Sequence, residues 1–445
     1  MNVPALAPPT GPSLPWFAQT FRMLSDPVAF LLETTEEHGD PFVLRLGGPK
    51  PMWSTAHPDG IRAIFTAPTD VLTSGGPTHV LFPFVGARSV MMVQGVEHRR
   101  RRKWMMPPFH GARMRSYGTI IQEAARRAVA GWSTGETVEA LAATECMTLE
   151  VIVRAVYGAE GERVVPHVDA VVSVLEAMTP WVVFFKFLQR DLGPWSPWGR
   201  YLRRAAAADR LLQAEIDRRR AEPDVAREDI LSMLLSARDE DGQGMDDTDL
   251  RDQLVTVLAA GHITTAVSLS WALHFGHADG DVLDRLRDEL DGAGDAPEEV
   301  AALPYLTAVC KEALRLIPAV PLVARTAQKP FTLMGRPVAP GERVAAHIVL
   351  AHRRPEAFAD PHAFRPERFL DRKPGAFEFI PFGGGVRRCI GEALALYEMK
   401  LGLAAILRIV ELESAEPGTP AITRRNLTLA PKTGARLRVL ARRSD

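Results

Sequence analysis

A chain of 445 residues, 46% of them hydrophobic, is long enough to bury a large core. Its 53 basic residues against 54 acidic ones leave no global field to draw it onto nucleic acid or an anionic membrane, so any basic footprint has to be local. Three cysteines without CxxC spacing exclude a disulfide framework and fit a reducing cytoplasm, and the Pro-rich N-terminus has neither the basic start nor the apolar core of a signal peptide.

In chain order, a Pro-rich arm runs to Pro15, an apolar-periodic segment surrounds Phe30, and Pro41 to Leu46 reads as a strand. The dense basic run from His98 to Lys103 has a helical setting, which puts His98 and Arg102 on one face. From Gly111 to Arg220 the text is helical, broken at Pro180 and at Gly193-Pro194. Arg238 to Gly244 is a polar loop. Asp246 with Asp249 predicts the acidic N-cap of a helix through Leu273 that is apolar nearly all round and therefore buried. No uncharged apolar run is read as reaching the ~18 residues of a membrane span, so no membrane anchor is expected. A further helix covers Tyr305 to Leu316, and hairpins are predicted at Phe331 to Val338 and at Asn426 to Val439, the second turning at Lys432-Thr433-Gly434. The fold class expected is mainly α with small β-sheets.

The segment with most chemistry is Pro381-Phe-Gly-Gly-Gly-Val-Arg-Arg-Cys-Ile-Gly391, which opens into an amphipathic run from Glu392 to Val410. A cysteine at a helix N-terminus beside arginines is expected to have a lowered pKa and to favour the metal-binding thiolate. Glycines at 383 and 385 allow a tight turn with positive φ. The competing readings are a phosphate loop or an inert buried cysteine, but no Lys-Ser/Thr follows. Phe382, Gly385, Arg387, Cys389 and Gly391 fit Phe-x-x-Gly-x-Arg-x-Cys-x-Gly, and in this the chain resembles the cytochrome P-450 family. The resemblance implies one cytochrome P-450 domain over 1–445, with haem b held between the long buried helix and the cysteine-loop helix. It makes Cys389 the axial iron ligand, with Gly383 in the cofactor loop and Arg387 on a haem propionate.

The other motifs follow in the order the resemblance requires. Glu312 and Arg315, three apart on a helix, resemble the family's Glu-x-x-Arg element, and Pro366-Glu367-Arg368-Phe369 resembles its partner, implying a buried network of Glu312, Arg315 and Arg368. His98, Arg102 and Arg325 match propionate-contacting positions, while the remaining arginines of the basic run either are solvated or face an acidic electron donor. Ala260, Gly261, Thr264 and Thr265 resemble the oxygen-binding groove. There Ile263 replaces the usual acid, so Thr264 and ordered water are expected to carry the proton relay. Cys146 and Cys310 read as buried small hydrophobes. Val320, Pro321, Leu322 and Val323, with Leu429 from the C-terminal turn, suggest an apolar wall for a lipophilic substrate such as a terpenoid, fatty acid or steroid-like molecule.

The activity implied is insertion of one atom of O2 into a C–H bond. No flavin or Rossmann fingerprint is fused to the chain, so NAD(P)H electrons are expected through a separate reductase and ferredoxin, with the protein a cytoplasmic monomer. The alternatives are a peroxide-driven haem enzyme, an isomerase or dehydratase on the same scaffold, and a non-catalytic haem or ligand carrier. Thr264 speaks against the isomerase, and the lack of a cation near Ile263 against a fatty-acid peroxygenase.

Overall fold

The computed structural model describes residues 10–76, 79–111, 113–158, 164–222 and 227–443. Most of the Pro-rich arm lies outside them, but Thr10 accepts a hydrogen bond from the Val43 backbone N–H at 3.0 Å, which lays the arm's end along the first strand. The long helix runs Asp247–Ala278, capped as expected by the Asp246 side chain, which accepts from the Asp249 N–H at 2.8 Å. By length and composition this helix is apolar enough to cross a membrane, contrary to the sequence expectation, yet most of it is buried inside the protein. Its residues Leu269, Trp271 and Leu273 lie in the main core with Ile121, Met147 and Leu401 from the helices Arg113–Ala128, Ala140–Tyr157 and Glu392–Ile409.

A second, smaller core lies under a five-stranded sheet ordered Phe42–Leu44, Met52–Thr55, Arg343–His347, Leu322–Ala327 and Leu72–Thr73. In that sheet, among the described residues, only the pairing of Met52–Thr55 with Arg343–His347 is parallel. The Phe331–Val338 hairpin forms as predicted. The C-terminal one does not: Ile422–Arg425 pairs with Thr428–Pro431 around Asn426, which has φ 56°. The turn at Lys432 to Gly434 then hands the chain to Arg436–Arg442 in a different sheet, between Thr137–Glu139 and Val410–Ser414. The strand Thr137–Glu139 interrupts the part of the 111–220 stretch, before Pro180, that was read as unbroken helical text.

His347 ends its sheet strand fully buried, its ring 5.3 Å from that of Phe42, with neither ring nitrogen partnered among the described residues. Burial pushes its pKa from 6.5 to about 3. Between those values the unfolded chain binds one more proton than the fold, so this stability is complete above pH 6.5 and is lost as the pH falls, at about 1.4 kcal/mol per pH unit. His347→Leu is expected to flatten the fall of melting temperature between pH 7 and 4. An unchanged slope would show that His347 gains a proton partner.

Candidate active site

Phe382 to Gly391 forms a closed loop in which the Cys389 N–H donates to the Phe382 carbonyl at 3.0 Å. Gly383 and Gly385 take φ 68° and 65°, and a Cβ on Gly385 would come within 2.0 Å of the Phe65 carbonyl oxygen, so position 385 admits only glycine. A Cβ on Gly391 would meet no protein atom, so nothing inside the fold requires glycine there. The helix Glu392–Ile409 starts at Gly391, whose N–H donates to the cysteine sulfur. Cys389 retains exposed surface, yet burial among its neighbours pushes its thiol up, against the lowering effects of the Gly391 N–H, Arg102 and Arg388. This corrects the expected lowered pKa: the helix end and arginines act in the predicted direction, and desolvation outweighs them. A bound metal would reverse this balance, since coordination deprotonates a thiol.

Behind the loop, Glu312 and Arg315 are fully buried on the helix Pro304–Leu316, paired at 2.7 and 2.8 Å. Arg315 also donates to the carbonyls of His352, Pro361 and Ala363 at 2.9, 2.7 and 2.9 Å, which occupies all five guanidinium N–H groups. Glu312 further accepts from the Arg365 N–H at 2.9 Å and from Arg368 at 3.0 Å. His352, which the sequence did not single out, accepts from the Ile380 N–H at 2.8 Å while its other nitrogen meets the Arg315 carbonyl at 3.2 Å. It therefore ties the network to the residue before Pro381.

The four residues expected on the propionates, three arginines and a histidine, lie close enough to act on one another. His98 and Arg102 lie on the helix Gly95–Met105, Arg325 on the strand Leu322–Ala327 and Arg387 in the cysteine loop. None has a carboxylate partner among the described residues: Arg102 donates to the Arg388 carbonyl at 2.7 Å and Arg325 to that of Ala324 at 2.9 Å. Arg387 donates to the Val90 carbonyl at 2.8 Å, to Gln94 Oε1 at 2.7 Å and to the Val93 carbonyl, all uncharged. Burial lowers Arg325 and Arg387 to about 10, with Arg325 and Arg102 adding to the effect on Arg387. His98 is held near 4 by burial and then by Arg387, Arg102, Arg99 and Arg325. His79, a further member that the sequence reading missed, is held near 4 by burial, Arg325 and Arg387. Buried positive charge without a counter-charge is costly, so the cluster is built for an anion.

In the middle of the long helix, between the buried Leu258 and Thr265, small residues leave the surface open at Ala259, Ala260, Gly261 and Thr264. Thr264 donates to the Ala260 carbonyl at 2.7 Å and Thr265 to that of Gly261 at 3.1 Å. Ile263 turns away from this opening into an apolar cluster with Leu141, Val267 and Ala430.

A family model for cytochrome P450 matches residues 8–438. The chain is 35% identical over 440 residues to cytochrome P450 135B1 of Mycobacterium tuberculosis, covering 98% of this chain and 92% of that protein. It is 36% identical over 387 residues to cytochrome P450 137 of the same organism, covering 85% and 78%.

The chain is a cytochrome P450.

Among solved structures, retinoic acid-bound cyanobacterial CYP120A1 superposes with TM-score 0.86 at 26% identity, covering 97% of this chain and 98% of that one. The haem domain of cytochrome P450DA shares the fold with TM-score 0.85 at 23% identity, covering 98% of each. Membership makes this P450 a haem monooxygenase, an oxidoreductase. Its residues fit that group: a thiol with exposed surface, a cationic set without a carboxylate partner among the described residues, an open face at Gly391 and small residues on the long helix.

Several site expectations change. Leu429 is fully buried in the main core, where its carbonyl accepts from Trp271 Nε1 at 2.8 Å, so it lines no pocket. Leu427 is the partly open residue of that turn. Val320, Leu322 and Val323 do keep open surface, and strand alternation puts Val323 on the face of Arg325. Arg101 is neither solvated nor offered to a donor: it is buried against Asp249 at 2.7 Å and against Glu97. Arg100 pairs with Asp239 at 2.6 Å, leaving Arg99 exposed. Cys310 is buried as expected, whereas Cys146 is exposed. The stapling of residues 86–90 to the long helix was not foreseen: Asp252 accepts from the Arg88 N–H at 2.9 Å, Gln253 from the Val90 N–H at 2.7 Å, and Ser89 meets Thr256 at 2.7 Å.

Proposed function

We propose that this P450 inserts one atom of O2 into a C–H bond of a lipophilic small molecule, with NAD(P)H electrons delivered by an external reductase and ferredoxin. The observation that carries the reading is the set His98, Arg102, Arg325 and Arg387, which lacks any carboxylate partner among the described residues and would hold the two propionates of haem b. Cys389 would be the axial ligand, its sulfur supported by the Gly391 N–H. Haem supplies activation of O2 by two electrons and two protons, one atom leaving as water.

The chain's own part is to exclude water and to place protons. Val320, Leu322 and Val323, with the partly open Leu81, Leu175 and Leu427, give an apolar surround. A terpenoid, fatty acid or steroid-like substrate fits it, and the retinoic acid bound by the cyanobacterial relative belongs to the same lipophilic class. The Thr264 hydroxyl, its proton committed to Ala260, keeps lone pairs free to hold a proton-donating water at the groove.

Difference spectra of the holoprotein against a lipophilic panel, followed by turnover with ferredoxin, reductase and O2, test the reading. Hydroxylated product is expected, and Thr264→Ala should lower product per electron by about tenfold or more while raising peroxide. Wild-type coupling in Thr264→Ala would overturn the relay, and absence of any oxygenated product would favour a carrier. Ile263→Glu is no remedy for the missing acid, because it would place a carboxylate among Leu141, Val267 and Ala430 and cost stability.

A further inference from the structure

The long helix is open at Ala260, Gly261 and Thr264, and the contacts on its opposite side decide where that opening sits. Successive helical residues turn by about 100°, so His262 and Ala266, each two residues from Thr264, point away from the groove. Both are buried, and both meet the helix Ala140–Tyr157. Thr144, Thr148 and Ile152 of that helix are four apart and so share one face. Thr148 Oγ1 lies 2.9 Å from His262 Nδ1, while its other contact, the Glu145 carbonyl, is at 3.4 Å. Thr144 Oγ1 lies 3.0 Å from the Ala266 carbonyl and 3.0 Å from that of Leu141, and shares its single proton between them. Ile152 completes the row, since a Cβ on Gly261 would come within 3.0 Å of its Cδ1.

The turn held in this way is one that its own side chains loosen. Thr264, Thr265 and Ser268 donate to the carbonyls of Ala260, Gly261 and Thr264 at 2.7, 3.1 and 2.8 Å. Such bonds compete with the backbone N–H groups for the same acceptors and destabilise a helix locally. Apolar packing resists separation of two helices but lets one slide or roll on the other, whereas a directional hydrogen bond fixes the rotation. His262 is suited to that bond: burial, and then Arg425, holds its pKa near 4, so the ring stays neutral with one N–H and one lone pair. Thr144 and Thr148 are themselves fully buried, which keeps water from replacing either partner.

We propose that Thr148 and Thr144 are positioning residues: by gripping His262 and the Ala266 carbonyl they fix the rotation of the long helix, and with it the place of the Thr264 hydroxyl at the groove. The inference rests on the reading of Ala260 to Thr264 as the wall of the haem pocket on which oxygen is handled. It assigns a use to His262, which touches no part of that pocket.

Carbon monoxide on the reduced holoprotein is the probe, because its infrared stretch responds to the polar groups around it. Thr148→Val exchanges a hydroxyl for a methyl group of similar size, and Thr148→Ser keeps the hydroxyl. Wild type and Thr148→Ser are expected to share one C–O band, and Thr148→Val and His262→Phe to show a shifted or second band. With NADPH, reductase and ferredoxin, peroxide released per electron should rise at least about threefold in Thr148→Val, since a 1 Å misplacement can cost ~10²-fold. In a Thr264→Ala background the same substitution should add nothing, because Thr148 acts through Thr264. Thr144→Val reads the same shift at the neighbouring grip should Thr148→Val fail to hold haem. The thiolate Soret band of the wild type is recorded first, and its absence would remove the pocket on which the inference rests. With that band present, an unmoved C–O stretch and unchanged peroxide yield in Thr148→Val and Thr144→Val, even at a lowered melting temperature, would overturn the positioning role alone.

Discussion

Arg315→Ala and Glu312→Ala are each expected to give little folded, haem-loaded protein. Removing Arg315 strips Glu312 of two hydrogen bonds and leaves the carbonyls of His352, Pro361 and Ala363 without that donor, all in fully or partly buried surroundings. Removing Glu312 leaves a fully buried guanidinium without its counter-charge and frees Arg368 and the Arg365 N–H. Breaking one side of a buried pair costs about 3 to 5 kcal/mol, a large share of the roughly 5 to 15 kcal/mol that holds a domain together. Arg315→Lys should rescue little, because an ammonium cannot reach five acceptors in a plane. Haem content and urea melts of the three variants check this. Near-normal midpoints would mean that water enters and replaces the lost partners.

The same network shows how far the sequence could be read. Glu312, Arg315 and Arg368 were legible only through the resemblance of their two motifs to the family's, since a pair three apart on a helix reads by itself as an exposed ion pair. His352 and the three carbonyls were not, since they arrive from chain segments 37 to 48 residues away that no local pattern connects. The C-terminal strands illustrate the limit again. Turn residues at Lys432 to Gly434 were recognised, but which strands pair across a turn is decided by the partners Thr137–Glu139 and Val410–Ser414, far off in sequence. Leu429 was misplaced for a related reason: alternation says that neighbouring residues face opposite ways, not which side the long helix occupies. The basic run from His98 to Lys103 was legible as a helix, yet the role of Arg101 depended on Asp249, which only the fold brings near.

The cysteine assignment rests on geometry that separates three otherwise similar residues. Cys310 is wholly enclosed and its thiol is pushed up to about 12, while Cys146 lies at the surface with its thiol raised by burial and by Glu145. Of the three, Cys389 is the one with the Gly391 backbone N–H on its sulfur, exposed surface, and Arg102, which has no carboxylate partner among the described residues, beside it. The most direct measurement is therefore the reduced-CO difference spectrum of purified wild type, Cys389→Ala, Cys146→Ser and Cys310→Ala. The red-shifted Soret band of thiolate ligation is expected in the wild type and in the Cys146 and Cys310 variants, and is expected to vanish in Cys389→Ala. A histidine-type spectrum in the wild type, or a thiolate band that survives Cys389→Ala, would contradict the assignment of Cys389 as the haem ligand.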